Sequence, residues 1–230
     1  MKSEKICSIK QCLDQIHDGA SIFIGGYMGE NSAKNLIHAL AESDKGGFTI
    51  LCNDGGRKIG PDGSMYFGVA ELIHSGKVKK LIATHVGLNP EVSELVNEGK
   101  LKLVLLPQGS FAEMIRAGGA GLGGILTPAG VGTLVEENEF ALKKELIDGK
   151  EYLLMKSLKA DIAILNSFMS DTVGNLWFRG NSKTFQNVMA TAAKTVIVET
   201  EQIVPLQTIA AENIAVPGVF VDYILDRSGL

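Results

Sequence analysis

Short runs of apolar residues, many of them β-branched, recur along the chain and are separated by turns. Because these runs are continuously apolar rather than alternating, they predict strands that are buried on both faces of a parallel sheet. The predicted strands are Ser21–Ile24, Phe48–Cys52, Lys80–Thr84, Lys102–Leu106, Ile162–Leu165 and Thr195–Glu199.

Helical patterns lie between these runs. Ser32–Ser43 places apolar residues three and four positions apart, which predicts an amphipathic helix. Met65–Gly76 and Pro90–Gly99 are similar, and each ends at a glycine that favours a C-cap. Phe111–Ala117 is also helix-like. This alternation predicts an α/β fold with an open, mostly parallel sheet flanked by helices.

One segment departs from the alternation. Leu142–Lys150 has the pattern of a hairpin, with Asp148-Gly149 as its turn. We therefore expect a small β-rich excursion around residues 110–155. No linker interrupts the chain, so we expect residues 1–230 to form a single domain.

Composition and charge narrow the classes of function. The formal net charge is −4 and no basic cluster is present, which argues against nucleic acid as a partner. No apolar run approaches the ~20 residues that span a bilayer, and no signal peptide is evident. The three cysteines form no CxxC pair, and an odd number argues against a disulfide framework. We expect a cytoplasmic protein that binds no metal, since the four histidines lack metal-ligand spacing.

Glycine is concentrated in two segments. It occupies eight of the 24 positions in Gly109–Gly132, and it recurs in Gly25–Gly29 directly after a predicted strand. Glycine weakens helices and strands unless the backbone itself is used. Free N–H groups at a strand-to-helix turn attract anionic and polar ligand groups. The segments therefore predict ligand binding by the main chain, and a tight turn that merely needs glycine is the alternative for Gly25–Gly29.

A dinucleotide fingerprint is present in spacing only. Gly119, Gly121 and Gly124 satisfy GxGxxG, but they follow a helix-like segment rather than a strand. An NAD-dependent oxidoreductase is therefore disfavoured.

Nearly the whole chain resembles the alpha subunit of the type I CoA-transferases that act on 3-oxoacids, acetate and butyrate. The likeness depends on the order and spacing of several motifs together, and it implies a Rossmann-like CoA-transferase fold. These motifs are Asp18-Gly19 with Gly25–Gly29, Cys52-Asn53-Asp54, Lys79–Gly87 with Asn89-Pro90-Glu91, Leu106–Gly109, Ile115–Gly124, Thr127-Pro128, Gly130–Thr133, Leu158–Ala163, Asp171, Gly174-Asn175 and Pro217-Gly218.

The resemblance also implies two groups of site residues. Asn53, Asp54 and Gln108 would line the acyl pocket, where neutral amides bind either a carboxylate or a thioester without a large desolvation penalty. CoA would enter as a substrate, with no other cofactor. A loop would lie against the thiol end of CoA, and it comprises Gly25, Gly26, Tyr27, Met28, Gly29, Glu30 and Asn31.

In such enzymes the nucleophile is a glutamate in a Ser-Glu-Asn-Gly setting on the partner beta subunit. None of the Glu-Asn pairs in this chain lies in that setting, and Glu30 is interpreted as a loop or pocket residue. We therefore expect no catalytic residue here, an α2β2 assembly, and no CoA transfer by this chain alone. A non-catalytic ligand-binding or sensor module on the same fold is the alternative.

One position departs from the family pattern. After the double glycine, Asn31, Ser32 and Ala33 replace the usual glycine, any residue and proline. Asn tolerates left-handed backbone, and Ser32 can cap the following helix. We therefore expect the loop to keep its shape.

Overall fold

The computed structural model describes residues 5–180 and 183–227. Its strands are β1 (Ile6–Cys7), β2 (Ser21–Ile24), β3 (Phe48–Cys52), β4 (Arg57–Ile59), β5 (Met65–Phe67), β6 (Val78–Ala83), β7 (Lys102–Leu105), β8 (Gly124–Thr127), β9 (Ala141–Ile147), β10 (Lys150–Lys156), β11 (Ala160–Asp171), β12 (Leu176–Trp177), β13 (Ala193–Val204) and β14 (Tyr223–Asp226). Its α-helices are α1 (Ile9–Leu13), α2 (Lys34–Glu42), α3 (Val69–His74), α4 (Pro90–Asn97), α5 (Gln108–Gly119) and α6 (Gln186–Ala192). Short 3-10 turns lie at Leu134–Glu137, Ala211–Asn213 and Gly218–Phe220.

The central sheet has the strand order β1-β14-β13-β11-β2-β3-β6-β7, and β12 pairs with β11. Neighbours along this order are parallel, and β12 is antiparallel. Helices cover both faces, which is why the central strands are apolar without alternation. In β3, Ile50 packs in the core under α2 and α3, and Leu51 packs in the core that contains α5 and α6. The predicted α/β fold is confirmed.

Two strands, β11 and β13, extend well past their neighbours β2 and β14. Pairing between β2 and β11 ends at Ile24 and Ile164, but β11 and β13 stay paired as far as Asp171 and Val204. We call residues 165–171 and 198–204 the β11–β13 ribbon. The sequence predicted only the apolar parts of these strands, because buried polar residues such as Asn166 interrupt the apolar run.

The predicted hairpin is confirmed. β9 and β10 pair antiparallel, with β8 on the other side of β10. The turn residues Asp148 and Gly149 have φ of +48° and +75°. Positive φ at both central residues is the geometry of a type I′ turn, which suits Asp-Gly. This three-stranded sheet packs on α5 through Leu153 and Met155.

The prediction of one helix over Met65–Gly76 is wrong at its start. Met65–Phe67 is the strand β5, which pairs with β4 through Arg57 and Ile59. We call residues 57–67 the β4–β5 hairpin. Gly68 has φ of +70°, and this left-handed residue prevents the helix from beginning before Val69.

The expectation that Ser32 caps α2 is also wrong. The N-cap is Ala33, which makes no side-chain cap bond. The Ser32 hydroxyl instead donates to the carbonyl of Gly29 at 2.7 Å, so it closes the preceding loop.

The glycines at the end of α5 serve close packing. A Cβ on Gly118 would collide with the backbone carbonyl of Leu158, and one on Gly119 would collide with Thr191 of α6. Both glycines lie beside Ala160 and Ala193, the first residues of β11 and β13. This segment is therefore at the amino edge of the sheet, away from Gly25–Gly29.

The described residues were also searched for membrane-spanning helices, metal-binding clusters and disulfide bonds. No helix within residues 5–180 and 183–227 is long and apolar enough to cross a membrane. In the same ranges, no group of three or more His, Cys, Asp or Glu side chains is placed to hold a metal ion. The three cysteines are free thiols, although the sulfur atoms of Cys7 and Cys12 lie 2.7 Å apart.

Candidate active site

The loops that follow β2, β3, β6 and β7 meet at the carboxyl edge of the sheet. Open α/β sheets bind ligands at this edge, because loops from adjacent strands converge there. The residues predicted for the site lie on these loops or directly after them. They occupy residues 25–31, 53–54 and 108.

The glycine loop is a tight turn held by its own backbone. The N–H of Gly25 donates to Ile164 O at 3.0 Å and continues the β2–β11 ladder. Tyr27 and Glu30 then exchange two backbone hydrogen bonds of 3.0 and 2.9 Å. Positive φ occurs at Gly26 (+119°), Met28 (+52°), Gly29 (+83°) and Asn31 (+55°). The expected left-handed backbone at Asn31 is confirmed.

Asp54 fixes the tip of this loop to the end of β3. Its Oδ2 accepts from the backbone N–H of Met28 at 2.6 Å and from Asn53 Nδ2 at 2.8 Å, and its Oδ1 accepts from Gly56 N at 2.9 Å. Hydrogen bonds to a carboxylate are stronger than those between neutral groups. A left-handed Met28 costs of order 1 kcal/mol, which these bonds offset. The Asp54 carboxylate is therefore turned toward the loop.

Gln108 connects the end of β7 to the end of β3. It is the first residue of α5, after the N-cap Pro107, rather than part of an extended loop. Its Nε2 donates to Asn53 Oδ1 at 2.7 Å. Asn53 is 1% exposed, whereas Gln108 is exposed. The structure thus brings Gln108, Asn53, Asp54 and Met28 into one continuous chain of hydrogen bonds.

The β4–β5 hairpin covers the other side of the loop. The Phe67 ring lies where a Cβ on Gly29 would be, and Gly68 also approaches Gly29 closely. Arg57 Nη2 lies 3.5 Å from Met28 Sδ. Glycine is therefore required at position 29 both by φ and by the hairpin that packs on it.

Two further side chains lie near this edge. The backbone of His85 forms an isolated parallel β-bridge with Asp54. Its Nδ1 is 3.3 Å from Thr84 Oγ1, and its buried Nε2 has no hydrogen-bond partner within the described part of the chain. Burial raises the pKa of the Cys52 thiol, and the nearby Asp54 carboxylate raises it further. Because a protonated thiol is a poor nucleophile, Cys52 serves as a packed apolar residue.

The space enclosed by the loop is small. A cavity of about 10 Å³ lies between the loop and β3, lined by Gly25, Gly26, Ser32 and Asn53 among others. That volume holds about one water molecule. The enclosed space is therefore too small for a ligand larger than water, whereas Tyr27 and Gln108 are exposed to solvent.

Sequence reasoning missed the β4–β5 hairpin, and with it Arg57 and Phe67. A usable signal was present in Pro61-Asp62-Gly63, because x-Pro-Asp-Gly-x predicts a tight turn. The hairpin closes over that segment, where Gly60 and Ser64 are joined by a 2.8 Å backbone hydrogen bond.

The fold is an open α/β sheet of the class that binds ligands at the carboxyl edge, and the candidate site lies at that edge. A model of the coenzyme A transferase family matches residues 7–227. The chain is 37% identical over 221 residues to the acetate CoA-transferase subunit alpha of Escherichia coli (strain K12), covering 96% of each chain. The chain therefore belongs to the coenzyme A transferase family.

Two other comparisons agree with this assignment. The chain is 39% identical over 223 residues to the acetoacetyl-CoA:acetate/butyrate CoA transferase alpha subunit of Clostridium acetobutylicum, covering 97% of this chain and 98% of that one. Its fold is similar to that of an acyl-CoA transferase from Escherichia coli O157:H7, solved as a thioester complex with CoA (TM-score 0.84, 24% identity). That alignment covers 100% of this chain and 48% of the other, so this chain spans about half the length of that protein.

Proposed function

We propose that this chain is the alpha subunit of an enzyme that moves CoA between a short-chain acyl-CoA and a free carboxylic acid of the acetate, butyrate or acetoacetate type. The activities in the names of the two relatives above support this substrate class. The observation that carries the site is the hydrogen-bonded chain from Gln108 through Asn53 and Asp54 to Met28. It couples an exposed amide to a glycine loop at the edge where ligands of α/β sheets bind.

In this proposal the loop lies against the thiol end of CoA, and its free backbone N–H groups stabilise negative charge on the thioester oxygen. Gln108 contacts the acyl group directly, and Asn53 orients Gln108. Asp54 acts as a positioning residue, because its carboxylate is already bonded to three N–H groups. The loop residues are Gly25, Gly26, Tyr27, Met28, Gly29, Glu30 and Asn31.

The nucleophile is proposed to be a glutamate of a beta-type partner subunit. Its carboxylate attacks the acyl-CoA thioester and expels CoA as a thiolate, which leaves a mixed anhydride. The thiolate then attacks the glutamyl carbonyl and expels the first acid, and the resulting glutamyl-CoA thioester passes CoA to the second acid by the same two steps in reverse. Glu30 is exposed at the loop and is proposed to be a pocket residue. The half-length match to a single-chain acyl-CoA transferase supports a second polypeptide. The small enclosed cavity supports it too, because about 10 Å³ leaves no room for an acyl group within this chain's part of the site.

Four further parts of the proposal follow from the resemblance and the composition. Residues 1–230 form a single domain, the assembly is α2β2, CoA is a substrate with no additional cofactor, and the enzyme works in the cytoplasm. The matched family region, residues 7–227, supports the first of these.

The test is reconstitution. The purified chain is assayed with acetyl-CoA and butyrate, with and without its beta-type partner. We expect no transfer by the chain alone and transfer by the complex, and we expect a hydroxylamine-sensitive CoA adduct on the partner only. Transfer by this chain alone, or an adduct on any of its side chains, would refute the assignment of the nucleophile to the partner.

A further inference from the structure

Two thiols lie in contact beside the outermost strand of the central sheet. Cys7 ends β1, and Cys12 is in α1, the short helix that follows. Their sulfur atoms are 2.7 Å apart, and both are free thiols in the structure. A disulfide bond is about 2.05 Å long, so less than about 1 Å of further approach would join the two sulfurs. The pair is therefore already placed for oxidation.

The two thiols are fixed by different elements. Cys7 is held by the pairing of β1 with β14, and its sulfur lies 3.5 Å from the carbonyl oxygen of Ile224. Cys12 is fully buried in the core under α2. The helix that carries it begins at a capped end, where the Ser8 hydroxyl accepts from Gln11 N. A bond between the thiols would therefore join a strand of the sheet to the helix that packs on it.

The two thiols differ in acidity and in access. Cys12 Sγ donates a hydrogen bond to Cys7 Sγ, which lowers the pKa of Cys7 and raises the pKa of Cys12. Burial raises the pKa of Cys12 further, because an apolar core solvates a thiolate poorly. Cys7 is also half-buried rather than fully buried. Because the thiolate is the nucleophile, Cys7 is suited to attack first and Cys12 to act on the product.

The third cysteine provides a contrast within the same chain. Cys52 is buried at the end of β3, and its thiol donates to Asp54 O at 3.0 Å. Burial raises its pKa, and within the described part of the chain it forms no hydrogen bond to another cysteine. Cys52 is therefore the internal reference for a thiol that stays reduced.

We propose that Cys7 and Cys12 are a reversible redox site, which a small disulfide of the glutathione class oxidises to a Cys7–Cys12 disulfide that fastens α1 to β1. Protein disulfides in reducing compartments are mostly transient and catalytic or redox-sensing. A pair that opens and closes fits that pattern better than a permanent crosslink does. The inference is independent of the proposed function.

The oxidation is an exchange in two steps. The Cys7 thiolate attacks one sulfur of the small disulfide, so a mixed disulfide forms and one small thiolate leaves, which takes up the proton that Cys7 had lost to water. The Cys12 sulfur then attacks Cys7 Sγ, and the second small thiolate leaves with the Cys12 proton. Two protein thiols are thus oxidised to one disulfide, and one small disulfide is reduced to two thiols.

The test treats the purified chain with glutathione disulfide and counts its thiols by alkylation after denaturation. We expect three alkylated cysteines before oxidation and one, Cys52, after it, with a Cys7–Cys12 link in the peptide map. Excess reduced glutathione should restore all three. The oxidised chain should have a Tm higher by roughly 4–8 °C, since closing even a short loop restricts the unfolded chain.

Two variants separate the roles of the thiols. In Cys12→Ala the resolving thiol is absent, so Cys7 should retain one glutathione as a mixed disulfide. In Cys7→Ala the attacking thiolate is absent, and Cys12 should stay unmodified because it is fully buried. Cys52→Ala is the matched control and should form the Cys7–Cys12 link as the wild type does. The thiol count of the wild type decides the proposal even if a variant fails to fold.

Four outcomes would overturn the inference. These are three alkylated thiols after oxidation, a mixed disulfide that persists on Cys7 of the wild type, a link that includes Cys52, and a disulfide between two copies of the chain. An oxidised chain whose Tm does not exceed that of the reduced chain would show that the bond does not fasten α1.

Discussion

The loop Gly25–Gly29 and the Gly118-Gly119 pair at the end of α5 use glycine for different physical reasons. In Gly25–Gly29, Gly26 and Gly29 have positive φ, and the loop is fixed from outside by Asp54 and Phe67. Gly118 and Gly119 are helical and lack side chains because α5 approaches other backbone closely. The loop Gly25–Gly29 is at the carboxyl edge of the sheet, and the Gly118-Gly119 pair is at the amino edge. Glycine spacing alone therefore does not identify a ligand site; the side chains that hold the loop do.

The largest effect that separates the two segments is expected at Gly118. Gly118→Ala would place a Cβ on the carbonyl of Leu158, where backbone must move. We expect a loss of about 3 kcal/mol in the free energy of unfolding, as for overpacked cores. Urea denaturation measures it, and the transfer rate per mole of folded complex should be unchanged. Gly109→Ala in the same helix meets nothing within 4 Å and is the matched control.

At Gly26 we expect a loss of catalytic activity instead of a loss of stability. Its φ is +119°, and an added Cβ would lie 2.8 Å from Glu30 O, so Gly26→Ala should displace the loop. We expect a fall of roughly a hundredfold in kcat of the complex, as for a misplaced reacting group. Gly19 also has a positive φ, +71°, but open space surrounds the position of its Cβ, so Gly19→Ala is the control. If both variants lowered kcat alike, backbone strain rather than the site would be the cause.

A smaller effect is expected at Gln108. Gln108→Ala removes the donor to Asn53 Oδ1 and should lower transfer about tenfold, the cost of one hydrogen bond to a developing charge. The measurement is kcat/KM for butyrate in the complex. Gln15→Ala, on the chain segment after α1, is the control. Unchanged kinetics in Gln108→Ala would remove Gln108 from the site.

The smallest effect is a pH dependence at the amino edge. Lys194 at 2.7 Å, with the hydroxyl and N–H of Ser21, holds the pKa of Asp161 below its ordinary range. A depressed folded-state pKa stabilises the protein above the unfolded value of about 4, and this stabilisation is lost as the pH falls through that value toward the folded pKa. Because the pair is solvent-exposed, we expect under about 1 kcal/mol.

The measurement for Asp161 is the difference in Tm between wild type and Asp161→Asn. This difference should narrow as the pH falls from about 6 to about 3. A difference that is constant across this range would show that the ion pair is not its source. Transfer at neutral pH should not change, since Asp161 is at the amino edge.

The sequence predicted those parts of the fold that local patterns determine. The central strands were visible because burial on both faces makes them continuously apolar, and Asp148-Gly149 specified its own turn. Left-handed backbone at Asn31 was predicted from its residue type. The β4–β5 hairpin was not, because Met65–Phe67 read as the start of a helix and only Gly68 breaks it.

The candidate site was predictable in its residues but not in its connections. The resemblance supplied Asn53, Asp54 and Gln108. That Gln108 bonds to Asn53, 55 positions away, depends on the order of β3, β6 and β7 in the sheet. Arg57 gave no signal, since only packing of its hairpin on the loop places it there.

The β11–β13 ribbon constrains how such an enzyme can evolve. Its two strands are paired in parallel register beyond the point where β2 ends. A one-residue deletion in either strand would turn every later side chain to the opposite face. The length of the ribbon therefore changes most readily by two residues in both strands at once, which is a step of roughly 6.6 Å. Lineages should differ in the ribbon by coordinated two-residue insertions, whereas the glycine loop beside it can vary one substitution at a time.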